Sequence, residues 1–196
     1  MSQRKTIYDN RFWLGLLSWY GKWFLKCAGW TIKGDQAPAK KMVVIAAPHT
    51  SNWDFPLFMA FVGVTRLRVS FLGKDSLFKI PVLGRLFYYL GGIPVEREGI
   101  KAKVAMTTAL QVIEDADELV LGIAPEGTRS KVTKWKTGFY RIAKGANIPI
   151  GMAYVDSKTK TLGIHPEPFY PTGDMEADIE KIQLFYKDKT GVKSEK

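Results

Sequence analysis

The chain has 196 residues, a net charge of +10 and 46% apolar residues, which fits one domain with a buried core and excludes global disorder. Its one cysteine, Cys27, excludes a disulfide framework and a cysteine-rich zinc site, and its two histidines, His49 and His165, exclude a histidine-rich metal cage. The basic excess calls for an anionic partner and leaves two classes open, nucleic acid or an anionic lipid surface.

The first element is an aromatic segment. Phe12 to Gly21 carries no charge, and Lys22 ends the run. That is too short to span a bilayer, which needs ~20 residues. Lys22 and Lys26 follow closely and no small-x-small site precedes Cys27, so neither a cleaved leader nor a transmembrane span is expected. Four of the six tryptophans, Trp13, Trp19, Trp23 and Trp30, lie here, interleaved with Arg11, Lys22 and Lys26. On a helix over 11–28, Phe12, Leu16, Trp19 and Trp23 share one side. Such a helix either lies in a membrane interface or packs its rings on the domain core.

Further along, 42–47 and 119–123 read as buried strands, 68–72 as a strand and 93–95 as a short edge strand. Helices are expected over 53–64, 99–115, 137–146 and 175–189. Residues 77–90 are apolar but punctuated by Pro81 and Gly84. A strand from 150 through Val155 pairs with 161–165 around a polar turn, and the Lys-rich tail after Thr190 is expected to fray. Alternating strands and helices predict an α/β fold with a mixed, largely parallel sheet covered by helices. Gly34 and Pro38 place a boundary between an N-terminal interface helix, 1–33, and the main domain, 34–196.

Four signals carry chemistry. Ala47 to Asp54 reads A-P-H-T-S-N-W-D. His49 leaves a strand, and Asp54 enters a helix, so the carboxylate can hold one imidazole nitrogen and leave the other as a general base. The alternative is a capping Asp beside a structural His. No G-x-S-x-G elbow exists, so the base would act on a substrate hydroxyl. The second signal, Glu126, Gly127, Thr128, Arg129 and Ser130, follows the strand 119–123, where parallel sheets bind ligands. It reads as an anion site with an arginine fork or as a polar loop. The third is Gly91-Gly92 leading to Arg97, and the fourth is Lys74 beyond a strand. Each of these two alone is weak.

As an ordered set these blocks resemble the glycerolipid acyltransferase family, the 1-acyl-glycerol-3-phosphate acyltransferase type. Its H-x4-D, G-x5-R and E-G-T-R-S blocks, and a later strand opening with proline, occur in order over about 42–155. The chain departs from the family at Pro48, where asparagine is common, and after Pro149, where Met152 stands in place of a second proline. It is also short for the family, which implies little beyond a catalytic core and one anchor.

The resemblance implies transfer of an acyl group from acyl-CoA or acyl-ACP to a lysophospholipid hydroxyl, giving phosphatidate from 1-acyl-glycerol-3-phosphate. His49 and Asp54 would be catalytic. Lys74, Arg97, Glu126, Gly127, Thr128, Arg129 and Ser130 would bind substrate, with nearby backbone N–H groups on the oxyanion. No metal or bound cofactor is needed. The expected partners are an anionic membrane surface, at the cytoplasmic face, and acyl-carrier protein, with no nucleic acid. The competing readings are an O-acyltransferase for a lyso-ornithine or glycine aminolipid, and a non-catalytic basic lipid- or nucleic-acid-binding protein.

Overall fold

A computed structural model describes residues 5–34, 38–95, 100–128, 132 and 134–192. Seven strands form one sheet: β1 (Thr31–Lys33), β2 (Lys41–Ala47), β3 (Val69–Lys74), β4 (Gly92–Val95), β5 (Leu119–Ile123), β6 (Ile150–Asp156) and β7 (Thr161–Ile164). Their order across the sheet is β1-β7-β6-β2-β5-β3-β4. All pairs are parallel except the β6–β7 hairpin. The expected mixed, largely parallel α/β sheet is what forms.

The central strand β2 shows why its sequence is apolar throughout. Val43 and Ile45 face one side and Met42 and Val44 the other, as the two-residue period of a strand requires. All four are buried, because helices cover both faces. On the first face lie α5 (Ile100–Asp115), α6 (Gly138–Gly145) and α7 (Met175–Tyr186), through Ala109, Ile113, Phe139, Ile142 and Ile182. On the second lie α1 (Arg11–Ala28) and α2 (Asp54–Thr65), through Leu25, Leu57, Phe61 and Val62. Two short helices, α3 (Asp75–Phe78) and α4 (Leu83–Tyr89), join β3 to the edge strand β4.

α1 is bounded by local chemistry. The Asn10 side chain accepts the amides of Phe12 and Trp13, and Gly29, at φ 71°, supplies the left-handed C-cap. Its buried face is not the aromatic one. Ser18, Gly21 and Leu25 are buried, whereas Phe12, Trp19 and Trp23 are 72%, 64% and 54% exposed. The small residues explain the choice. A Cβ on Gly21 would lie 2.5 Å from the Ala60 carbonyl oxygen, and one on Gly63 would strike the Leu17 carbonyl, so the two backbones touch. α2 is thereby sandwiched between α1 and the sheet, which accounts for its apolar residues on all sides. The run 55–64 is core.

Several boundaries differ from the sequence reading. β1 was not expected. It pairs with β7, Thr31 opposite Thr161, and Lys160 Nζ donates to the Ala28 carbonyl, so the segment after α1 belongs to the sheet. β3 runs on to Lys74, because Gly73 and Lys74 pair with Pro94 and Val95 of β4. Of the tail after Thr190 that is expected to fray, residues 193–196 lie outside the described residues, and the chain just before them is anchored. Thr190 Oγ1 donates to Asp156, its carbonyl accepts the Ser157 amide, and Gly191 is buried against Thr50.

Candidate active site

Five of the parallel strands point their carboxyl ends at one rim. In the β2–β5 register Ile45 lies opposite Ile123, so the chain beyond β2 and the chain beyond β5 leave the sheet side by side. The consequence is a direct bond between the two loops: the His49 amide donates to Glu126 Oε2 at 2.8 Å.

Asp54 opens α2, where the positive end of the helix dipole favours a carboxylate. Its Oδ2 stands 2.7 Å from His49 Nδ1 and accepts the amides of Thr50 and Ser51, both at 2.8 Å. Among the described residues its Oδ1 is buried without a hydrogen-bond partner. All of the polar support therefore converges on the oxygen that faces the imidazole. A carboxylate on Nδ1 keeps the proton there and leaves the lone pair on Nε2. His49 is half-buried, so the pair is neither sealed in the core nor fully solvated.

Glu126 is the second carboxylate. Burial raises its carboxyl above the ordinary value, opposed by the His49 amide and the His49 charge and reinforced by the Asp54 charge. Gly127 follows at φ 66°, and a Cβ there would lie 2.9 Å from Lys136 Cε. The Lys136 amide in turn donates to the Pro125 carbonyl. Lys136 is therefore an exposed cation against this loop, and it belongs to none of the four sequence signals. Tyr186 was also missed. Its buried hydroxyl lies 2.9 Å from the Ala153 carbonyl and 3.1 Å from that of Ile45, bridging β6 and β2 beneath the site. Burial raises its phenol well above the ordinary value, and the Glu126 charge adds to this. Neither residue sits in a motif, and only the fold brings them here.

Lys74 is exposed at the end of β3, on the same rim. β5 separates β3 from β2, which puts the Lys74 strand about 10 Å from the His49 strand. Thr128 is exposed on the β5 loop. Arg97, Arg129 and Ser130 lie outside the described residues. The oxyanion expectation meets an obstacle at 49–51. The amides of His49, Thr50 and Ser51 are committed to Glu126 and Asp54, and that of Gly127 to the Ala124 carbonyl.

A histidine–carboxylate pair on the carboxyl rim of an α/β sheet is an arrangement suited to general-base chemistry. Residues 30–154 match the Acyltransferase family, and the chain belongs to that family. Among curated relatives it is 32% identical over 123 residues to the 1-acyl-sn-glycerol-3-phosphate acyltransferase of Haemophilus influenzae, covering 61% of this chain and 49% of that one. It is 27% identical over 138 residues to the protein of that name from Escherichia coli (strain K12), covering 68% and 54%. The chain thus spans about half the length of the curated relatives it matches. The crystal structure of the 1-acyl-sn-glycerophosphate (LPA) acyltransferase, PlsC, from Thermotoga maritima shares the fold, with a TM-score of 0.66 and 22% identity over 90% of this chain and 79% of that one.

Proposed function

We propose that this protein moves a fatty acyl group from an acyl thioester, acyl-CoA or acyl-ACP, to the hydroxyl of a lysophospholipid at an anionic membrane surface. The acceptor we favour is 1-acyl-glycerol-3-phosphate, the product phosphatidate. The observation that carries the reading is the 2.7 Å contact between His49 Nδ1 and Asp54 Oδ2 at the sheet rim. The names of the relatives support the acceptor.

In this reading His49 Nε2 takes the acceptor hydroxyl proton as that oxygen attacks the thioester carbonyl. Asp54 holds the imidazole and balances the imidazolium charge. Collapse of the tetrahedral adduct releases the thiolate, which takes the proton back from His49. No thiol nucleophile of the protein is used, consistent with Cys27 lying on α1. Lys74 and Lys136, with Arg97 and Arg129, supply positive charge for the acceptor's phosphate. Glu126 orients the His49 loop.

Membrane association rests on α1. Its aromatic face is exposed, and Arg11, Lys22 and Lys26 lie along the same helix. Among the described residues no helix is long and apolar enough to cross a membrane. An interfacial helix fits these facts.

The test is purified protein with acyl-CoA or acyl-ACP and a panel of lyso-lipids that includes lysophosphatidate, lyso-ornithine and lyso-glycine lipids. Phosphatidate formation is expected, and His49→Ala should lower turnover by about 10²–10⁴. Undiminished turnover in that variant would refute the mechanism. Turnover of an aminolipid alone would move the acceptor.

A further inference from the structure

The α3–α4 hairpin has an outer surface that the core does not need. From inside it is pinned by rings. Phe78 fills the space left by Gly73 and Gly92, where a Cβ would lie 2.6 Å and 2.8 Å from it, and Gly84 lies against the Phe78 backbone. Phe87 stacks edge-on with Phe55 at 5.7 Å and Phe71 at 6.3 Å. Yet Leu77, Ile80, Val82, Leu83 and Leu86 face outward, with Val82 80% exposed. Val82 is also held at φ 64°, a region that β-branched residues avoid.

We propose that the Ile80–Leu83 tip of this hairpin is a second membrane-inserting element, which enters the apolar layer of an anionic bilayer beside the carboxyl rim of the sheet. The inference builds on the membrane-surface reading above and adds a site that α1 does not supply. Three observations carry it. The first is position: Asp75 follows Lys74 directly, so the hairpin starts at the rim that holds His49, and its rings pack on the α2 side of the sheet, as α1 does. The second is charge: Lys74 and Arg85 are exposed around the apolar tip, a pattern that suits an anionic headgroup layer above a hydrocarbon one. The third is backbone satisfaction. The amides of Leu83, Gly84 and Leu86 donate to the carbonyls of Pro81, Ile80 and Val82, so burying the tip strands none of these groups. A projecting tip also suits a partner that yields around it better than a folded protein, which needs a matching pocket.

The experiment labels Val82→Cys with an environment-sensitive fluorophore in a Cys27→Ser background, since Cys27 is exposed. Leu184→Cys on α7, across the sheet, is the control. Vesicles of phosphatidylglycerol and phosphatidylethanolamine should blue-shift and brighten the label at 82 and leave that at 184 unchanged. The double variant Val82→Asp/Leu83→Asp should keep its melting temperature and bind these vesicles about tenfold more weakly. No shift at 82 on vesicle-bound protein, or full vesicle binding by the double variant, overturns the inference. A shift with soluble acyl-carrier protein but none with vesicles also overturns it. Both readouts are independent of turnover. A transferase without the shift sinks this inference alone, and a shift without turnover sinks only the proposed reaction.

Discussion

Asp54 supports His49 through one carboxylate oxygen, and that oxygen also holds the Thr50 and Ser51 amides. Asp54→Asn keeps an acceptor for the amides but removes the charge that balances an imidazolium. Turnover should fall about 10²–10⁴-fold with the fold intact, checked by steady-state kinetics beside circular dichroism. Glu126 gives a pH signature. Burial raises its carboxyl above the ordinary 4.5, so ionising it costs the folded state. Stability from this group is complete below that value and is lost as pH rises through the folded pKa. Glu126→Gln keeps an acceptor for the His49 amide without the charge. Thermal melts from pH 4 upward should show the variant losing less stability than the parent over this window. His49, Asp54 and Glu126 were legible because their motifs sit directly after apolar strands. Lys136 and Tyr186 were not: Lys136 lies in the loop before α6, tied to the Pro125 carbonyl, and α7 returns Tyr186 from the far end of the chain, both outside any motif.

Among the elements, the α1–α2 crossing is set by absence of side chain. A methyl group at Gly63 meets backbone that cannot rotate away. Gly63→Ala should cost about 1–3 kcal/mol, measurable by urea denaturation. This crossing also decides which side of α1 is buried, a choice that sequence periodicity leaves open. Grouping Phe12, Leu16, Trp19 and Trp23 on one side was geometrically right, but hydrophobicity ranks that side as the buried one. Close approach required the side with Ser18 and Gly21 instead. Strand β5 was plain from its apolar run at 119–123, as it is covered on both faces. β1 was invisible: Thr31, Ile32 and Lys33 form a three-residue edge strand with only Ile32 partly covered, so its pairing with β7 leaves no pattern.

For the molecule as a whole, the +10 charge and the exposed rings are two parts of one expected attraction. Trp19 and Trp23 are exposed and stacked on each other at 6.4 Å, outside the core. Replacing both with Ala should leave global stability within about 0.5 kcal/mol. It should still weaken sedimentation with anionic vesicles, and residual binding should weaken further with salt. Unchanged sedimentation would remove α1 from the interface, and a collapsed melting temperature would make these rings structural.

The latch between Lys160 and the Ala28 carbonyl joins residues 132 apart in the chain. A ribosome adding about 5–20 residues per second needs on the order of ten seconds to supply that distance. Throughout that interval β1 has no partner strand, while α1 has already emerged with its tryptophans. The helix is thus available to a lipid surface during synthesis, before the sheet can close. The order in which the nascent chain appears then presents the aromatic face of α1 first and completes the site second.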